Sequence, residues 1–220
     1  RIMEDMIMGY TSKFKVTTAR FANVAFSNGS LLSGFIDRIM KKQPLAAPCD
    51  VKRYFVSPEE SGQICMLACV LGHNGEIFFP KLSEETMITF SSICDKFLAA
   101  LGYEKKECVT EEEAKKYAAE MSEDSKVYPV IYFKSDTTGE KDYEEFYVSG
   151  EQLNMSRFSS LGVIEGVQKR PMYELDIFFD ELEEVFHRKS FTKLDIIAVI
   201  KRFLPNFEHV EKGKNLDQKM

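Results

Sequence analysis

Apolar positions along the chain switch between a helical spacing and short β-branched runs, a pattern that predicts a mixed α/β fold. Ile2, Met3, Met6, Ile7, Tyr10 and Phe14 recur at helical spacing, so the chain opens within a helix. Residues 16–23 follow as a strand, led by Val16, Thr17 and Thr18. Leu31, Leu32, Phe35, Ile36, Ile39 and Met40 make one apolar helix face, which Pro44 terminates. Residues 45–47 and 53–56 are short extended segments. Ser57, Pro58 and Glu60 then spell an N-cap, a first-turn proline and a capping box, and the helix they start ends at Gly72. Residues 76–79 are the next strand.

Thr89 caps a helix that runs to Leu101 and closes at Gly102. Residues 103–109 predict a strand, Thr110 opens a charged helix to Met121, and residues 127–133 form an aromatic strand. This alternation marks 103–150 as a small α+β lobe. Residues 151–205 are expected to be helical: Leu175, Phe178, Phe179, Leu182 and Val185 mark one helix. Thr192 caps another, with Leu194, Ile196, Ile197, Val199, Ile200 and Phe203, stopped by Pro205. Residues 206–220 are a polar tail.

The 220 residues are 44% hydrophobic and 29% charged, with a formal net charge of -6, an ordinary globular balance. The acidic balance argues against nucleic acid as a partner, because phosphate binding needs clustered cations. Lys105, Lys106, Lys115 and Lys116 sit among glutamates as solvated faces. No apolar run approaches the roughly 18 residues of a membrane span, and the amphipathic opening does not read as a signal peptide. A cytoplasmic location is expected. The five cysteines, Cys49, Cys65, Cys69, Cys94 and Cys108, include no Cys-x-x-Cys pair. Cys65 and Cys69, beside Met66, Leu67 and Val70, are expected to be buried as small hydrophobes. His73, His187 and His209 have no ligand spacing, and no metal site is expected.

Candidate chemistry gathers in three stretches. Residues 19–30, Ala-Arg-Phe-Ala-Asn-Val-Ala-Phe-Ser-Asn-Gly-Ser, read as strand, polar turn and helix start, where backbone amides meet an anion. Residues 52–60 put Arg53 beside aromatics and a helix start. Residues 139–145, Gly-Glu-Lys-Asp-Tyr-Glu-Glu, follow an apolar strand. Glu144 and Glu145 are surface or capping residues, since acid/base pairs need convergence rather than adjacency.

In this order the three stretches resemble the substrate half of the nucleotide-sugar 4,6-dehydratases and epimerases, extended members of the short-chain dehydrogenase/reductase superfamily. The likeness is nearest to the UDP-N-acetylglucosamine 4,6-dehydratase branch of bacterial surface-sugar biosynthesis. It covers nearly the whole chain, including residues 206–209 and 216–220. The resemblance implies an α/β fold: the C-terminal part of an NAD-binding Rossmann-like fold in 1–102, with a substrate-binding lobe and C-terminal helices. It also implies that Arg1-Ile2-Met3-Glu4 continues a catalytic Tyr-x-x-x-Lys helix, so the chain starts one residue past the lysine. No Gly-x-x-Gly-x-x-Gly fingerprint is present. NAD would then be bound mainly by a preceding half, and no catalytic residue is assigned here.

By the same resemblance Arg53 meets the diphosphate of a UDP-sugar, a task that suits the donor fork of guanidinium. Asn23, Ser27 and Ser30 contact the sugar-phosphate, although Ser30 as a plain N-cap is equally consistent with its position. The backbone at Leu45 borders the base, and Glu140 lies near the ribose. Departures are Ala22, where relatives often carry Gly, and Thr137 and Thr138, where many carry Arg-Pro. A homodimer through the first helix is compatible, though Met3, Met6 and Ile7 could equally face a missing sheet. Two rival readings stand beside the dehydratase: a nucleotide-sugar epimerase of the same superfamily, and a non-catalytic interaction module built on this scaffold.

Overall fold

The computed structural model describes residues 1–135 and 146–209. In chain order the elements are α1 (Ile2–Gly9), β1 (Thr17–Ala19), β2 (Asn23–Val24), α2 (Leu31–Met40), β3 (Leu45–Pro48), β4 (Lys52–Arg53), β5 (Phe55–Val56), α3 (Pro58–Leu71) and β6 (Glu76–Pro80). There follow β7 (Ile88–Thr89), α4 (Phe90–Ala100), β8 (Glu104–Glu107), α5 (Glu111–Glu120), β9 (Val127–Phe133), β10 (Gln152–Asn154), β11 (Leu161–Glu165), α6 (Met172–His187) and α7 (Lys193–Phe203). Helix starts are fixed by their caps. Ser57 Oγ accepts from the Glu60 amide at 3.1 Å, and Glu60 Oε2 accepts from the Ser57 amide at 2.6 Å. Thr89 and Thr110 cap α4 and α5 by accepting from the Ser92 and Glu113 amides, each at 3.1 Å, and a capping box of Thr192 and Asp195 opens α7.

The chain divides into two units. One comprises residues 1–20, 64–79 and, among those described, 147–209. Its sheet has the order β1-β6-β11-β10, with β1 parallel to β6 and β10 antiparallel to β11. Every residue of β6 is buried. Ile64 and Ala68 of α3 pack with Phe78, Leu161 and Val163. A second core joins α6 and α7 through Leu175, Phe178, Val185, Val199 and Phe203, with Ile2 of α1 packed against it.

The other unit comprises residues 21–63 and, among those described, 80–135 and 146. Its three-stranded sheet, β3-β9-β8, is parallel throughout. Leu32, Phe35, Leu45, Cys94, Leu98, Tyr128 and Val130 form its core. Two small pairs complete it: β2 runs parallel to β5, and β4 antiparallel to β7. The segment expected to stand as a lobe from 103 shares this unit, because β8 and β9 are joined to β3 of residues 45–48.

Four sequence expectations are corrected. Residues 151–205 are not purely helical: they begin with the antiparallel pair β10–β11. Gly162 interrupts the apolar run that would have signalled a strand. The strand needs that glycine, since a Cβ there would lie 2.6 Å from Cε2 of the Phe79 ring. The single strands expected over 16–23 and 53–56 are each split, because their halves pair with different partners. Helix α1 turns Asp5 and Met8 inward and leaves Met3, Met6 and Ile7 exposed, so its apolar spacing does not mark its buried face. Cys65 and Cys69 are exposed rather than buried, because α3 seats Ile64 and Ala68 instead. Cys94 and Cys108 are buried, and burial pushes the Cys94 thiol up to about 12.

Asp5 is held inward by Arg170, whose Nε lies 3.1 Å from its carboxylate. Alongside, Arg20 is shared between Glu4 and Glu151, each at 2.7 Å, and Arg1 reaches Glu151 at 2.8 Å. Burial alone would raise the Glu151 carboxyl, but hydrogen bonds from Arg20, Arg1 and the Val148 amide outweigh it and hold it at about 2. The folded value lies below the ordinary 4.5, so the stabilisation is complete above about pH 4.5 and is lost as pH falls toward 2.

Two outcomes are expected. Gly162→Ala lowers the unfolding free energy by about 1–3 kcal/mol, because Phe79 must leave its rotamer; urea titration measures it. Glu151→Gln is less stable than wild type at pH 7, and the gap in urea midpoint closes as pH is lowered from 4.5 to 2.5. A gap that stays constant with pH would remove Glu151 from the acid dependence.

Candidate functional site

The candidate residues on the described chain all fall in the second unit. Asn23 opens β2, and its amide donates to the Tyr54 carbonyl at 3.2 Å. The Ala25 amide donates to Val56 at 2.9 Å, so two bonds lock residues 23–25 alongside 54–56. Arg53 stands two residues before Phe55, the Cα partner of Asn23, about 7 Å along an extended chain. The elbow of residues 26–30 leaves Asn23 in the opposite direction. Asn23 therefore sits between the cation and the polar turn.

The elbow closes on itself. Ser27 donates its amide to Val24 at 3.3 Å, and Ser30 to Ser27 at 2.9 Å. Ser30 then caps α2: its Oγ accepts from the Ser33 amide at 3.2 Å. Among the described residues, the first-turn amides of Leu31 and Leu32 have no acceptor, and the Asn23 carboxamide and Ser27 hydroxyl have no partner. A ten-residue helix thus begins with open donors, the partial positive charge of its N-terminus and two short polar side chains. Leu31 and Leu32 are apolar because the same turn must also face the core, where Leu32 is 3% exposed.

Arg53 is buried, with 8% of its surface exposed. Its Nη1 donates to the Lys52 carbonyl at 2.8 Å, and β4 pairs it opposite Ile88. A buried cation is oriented before any ligand arrives, which lowers the entropic cost of binding an anion. The guanidinium of Arg20 is committed to Glu4 and Glu151. The Leu45 side chain is fully buried in the core, and its backbone pairs with Val130, so that position has only main-chain groups to offer a ligand. Glu140 lies outside the described residues, as do Thr137, Thr138, Glu144 and Glu145.

Two cavities of the first unit stand apart from these residues. One, of about 460 Å³, is lined by Arg1, Glu151, Gln152 and Glu165 among others. The other, of about 200 Å³, lies between α6 and α7 beside Arg170 and Arg202. Neither is lined by Asn23, Ser27, Ser30 or Arg53. Other ionisable clusters are structural. Tyr132 donates to Asp95 at 2.5 Å, Lys105 pairs with the same carboxylate at 2.9 Å, and burial pushes the Tyr132 hydroxyl upward. Among the described residues no group of three or more His, Cys, Asp or Glu could hold a metal ion. Phe26, which sequence reasoning passed over, occupies the elbow with a left-handed backbone, φ 57°. Its neighbour Ser-Asn-Gly-Ser marks the turn, but nothing in the residue order places the aromatic in that conformation.

Parallel strands, helices packed on them and a strand–elbow–helix start with open donors define an α/β protein of the Rossmann-like kind. Residues 1–164 match the model of the polysaccharide biosynthesis protein family, and the chain belongs to that family. The X-ray structure of Pen from Bacillus thuringiensis is similar in fold, with a TM-score of 0.54 at 20% identity, over 76% of this chain and 47% of that one. The chain thus spans about half the length of Pen. The likeness agrees with the expected fold class, an α/β fold of the Rossmann-like kind. Among curated protein sequences none matches the chain. Among the described residues no helix is long and apolar enough to cross a membrane.

Ser30→Ala removes a cap from α2 and is expected to lower the unfolding free energy by about 1 kcal/mol in urea titration. An unchanged midpoint would mean that the helix start is held by packing alone.

Proposed function

We propose that the chain forms the substrate-binding part of a nucleotide-sugar 4,6-dehydratase acting on a UDP-N-acetylhexosamine in bacterial surface-polysaccharide biosynthesis. Membership of the polysaccharide biosynthesis family supports the setting. The single observation that carries the ligand is the placement of Asn23, with its unpartnered carboxamide, between buried Arg53 and an open helix start. A nucleotide sugar carries a diphosphate flanked by two rings. In this reading Arg53 and Asn23 take the diphosphate, by a charge-assisted fork and an amide donor. The Ser27 and Ser30 turn and the amides of Leu31 and Leu32 take the oxygens that flank it.

The cofactor is a separate matter. The described glycines do not provide a Gly-x-x-Gly-x-x-Gly turn after a strand, so these residues do not fit the phosphates of NAD. This chain's part is to bind and orient the sugar, and such positioning accounts for a large share of the barrier when two reactants must meet. The hydride chemistry belongs, in this reading, to the cofactor and to residues outside the chain.

Isothermal titration calorimetry with UDP and UDP-N-acetylglucosamine tests the reading. Arg53→Ala is expected to bind both about 10- to 100-fold more weakly than wild type, and Arg53→Lys to fall between because it keeps the charge but loses the fork. Circular dichroism confirms that each variant is folded. Equal affinities for wild type and a folded Arg53→Ala would take Arg53 out of the site.

A further inference from the structure

Two described residues other than glycine have a left-handed backbone, Phe26 at φ 57° and Lys42 at φ 52°. Lys42 follows the C-cap of α2. Its amide donates to Ile39 at 3.0 Å and the Gln43 amide to Arg38 at 2.8 Å, so its conformation is that of an ordinary helix stop. Phe26 is the third residue of a turn closed by the Ser27 amide on the Val24 carbonyl at 3.3 Å, a position with positive φ that glycine or asparagine usually fills. It lies in mid-elbow, three residues before Gly29, which takes φ 76° without steric cost. For a bulky L-residue the same region is unfavourable. Burial does not compensate: the ring is 49% exposed and touches Phe97 at its edge, with centroids 6.3 Å apart and planes tilted by 43°. The elbow thus presents an aromatic face to solvent from a backbone position suited to glycine. Such strain is retained where the surrounding structure over-determines it, most often at ligand clamps.

We propose that Phe26 is a platform on which one of the rings flanking the diphosphate rests, nucleobase or hexose, and that it helps set which nucleotide sugar is accepted. The proposal depends on the nucleotide-sugar reading above. The position supports it. Phe26 lies between Asn23, on the strand, and Ser27, at the head of the turn. A diphosphate held at Asn23 and Arg53 would put its neighbouring ring within reach of the aromatic face. A half-exposed phenyl ring offers an apolar plane at low entropic cost, since only two torsions are fixed. The role is one of positioning and specificity; Phe26 carries no titratable group and takes no part in bond breaking.

The test compares wild type, Phe26→Gly, Phe26→Asn, Phe26→Tyr and Arg53→Ala. Glycine and asparagine both tolerate the left-handed backbone and both remove the ring, while tyrosine keeps it. Calorimetric titration uses pyrophosphate, UDP and UDP-N-acetylglucosamine, and melting temperature is recorded for each variant. Phe26→Gly and Phe26→Asn are expected to melt at the wild-type temperature or about 2 °C above it, as the strained backbone is relieved. Pyrophosphate affinity stays unchanged in both, and UDP-N-acetylglucosamine affinity falls about tenfold, with Phe26→Tyr restoring it. An equal fall for UDP identifies the nucleobase as the ring; a fall confined to UDP-N-acetylglucosamine identifies the hexose. Wild-type affinity for all three ligands in both ring-less variants overturns the platform. So does a drop of more than about 6 °C in both, which would make Phe26 a packing residue. If Arg53→Ala loses affinity while the ring-less variants keep it, the platform alone falls. If wild type binds none of the ligands, or Arg53→Ala binds as wild type does, the nucleotide-sugar reading fails and takes the platform with it.

Discussion

The hydrogen bond from the Asn23 amide to the Tyr54 carbonyl, with its neighbour from Ala25 to Val56, is the contact on which the candidate site depends. Two residues on each side are a very short parallel pair, and parallel pairing is slightly weaker per residue than antiparallel. What holds it is the packing beneath. Ala22, Tyr54 and Val56 form a buried cluster, with Val24, Leu82, Met87 and Phe146 against it, and the Tyr54 and Phe146 rings meet at 5.6 Å. On the next strand position Phe55 meets Phe90 edge to face, also at 5.6 Å. Residues 53–56 therefore alternate cation, aromatic, aromatic and aliphatic. The aromatics fix the strand so that the cation beside them has a defined place. Two elements far apart in sequence are registered by a bond of modest net worth, about 1 kcal/mol, only because apolar burial has already done most of the ordering.

In the other unit the same division of labour appears with charge in the lead. Glu4, Glu151 and Arg20 come from a helix, a turn before a strand and the end of β1. A guanidinium between two carboxylates satisfies both, and the carboxylates in turn raise the arginine well above its ordinary value, against the burial that would lower it. Breaking one partner of such a cluster costs more than the cluster gains over apolar side chains, because a charge is left without compensation. Arg157 does similar work: it reaches both oxygens of buried Glu76, at 2.9 and 2.7 Å, and the carbonyl of Leu71. These arginines are structural: each holds carboxylates of its own unit in place.

Much of the scaffold was legible in the residue order, and the reason is local chemistry. Ser30, Ser57 with Glu60, Thr89, Thr110 and Thr192 each cap a helix with a short side-chain oxygen, and each cap involves only residues three apart. What was not legible depends on partners distant in sequence. The strand at residues 161–165 exists because β6 receives it and because Gly162 admits the Phe79 ring; neither fact is local. Cys65 and Cys69 read as buried because their neighbours are apolar, but α3 carries apolar residues around much of its circumference, so its buried face is chosen by what packs there. Helix α1 misleads in the opposite direction, since its inward face carries Asp5, neutralised by Arg170. For the candidate site, Asn23, Ser30 and Arg53 were legible as types in order, but their relation through β2 and β5 was not. Nor was the backbone of Phe26, since the sign of φ leaves no mark on an aromatic side chain.

The chain carries a formal net charge of -6, yet its candidate ligand is an anion. Net charge acts at long range and is screened over about 8 Å at physiological ionic strength. Many of the carboxylates lie on exposed helices, such as Glu111, Glu112 and Glu113 at the start of α5. At that helix start they oppose the positive end of its dipole. At α2 the first turn carries no acidic residue. Two helices of one unit thus begin alike, each with a capping hydroxyl, but one fills its N-terminus with its own carboxylates and the other leaves it open. The start of α2 is thus a helix N-terminus without a local anion, on the far side of Asn23 from buried Arg53, and open amides of this kind are groups that can meet an external anion.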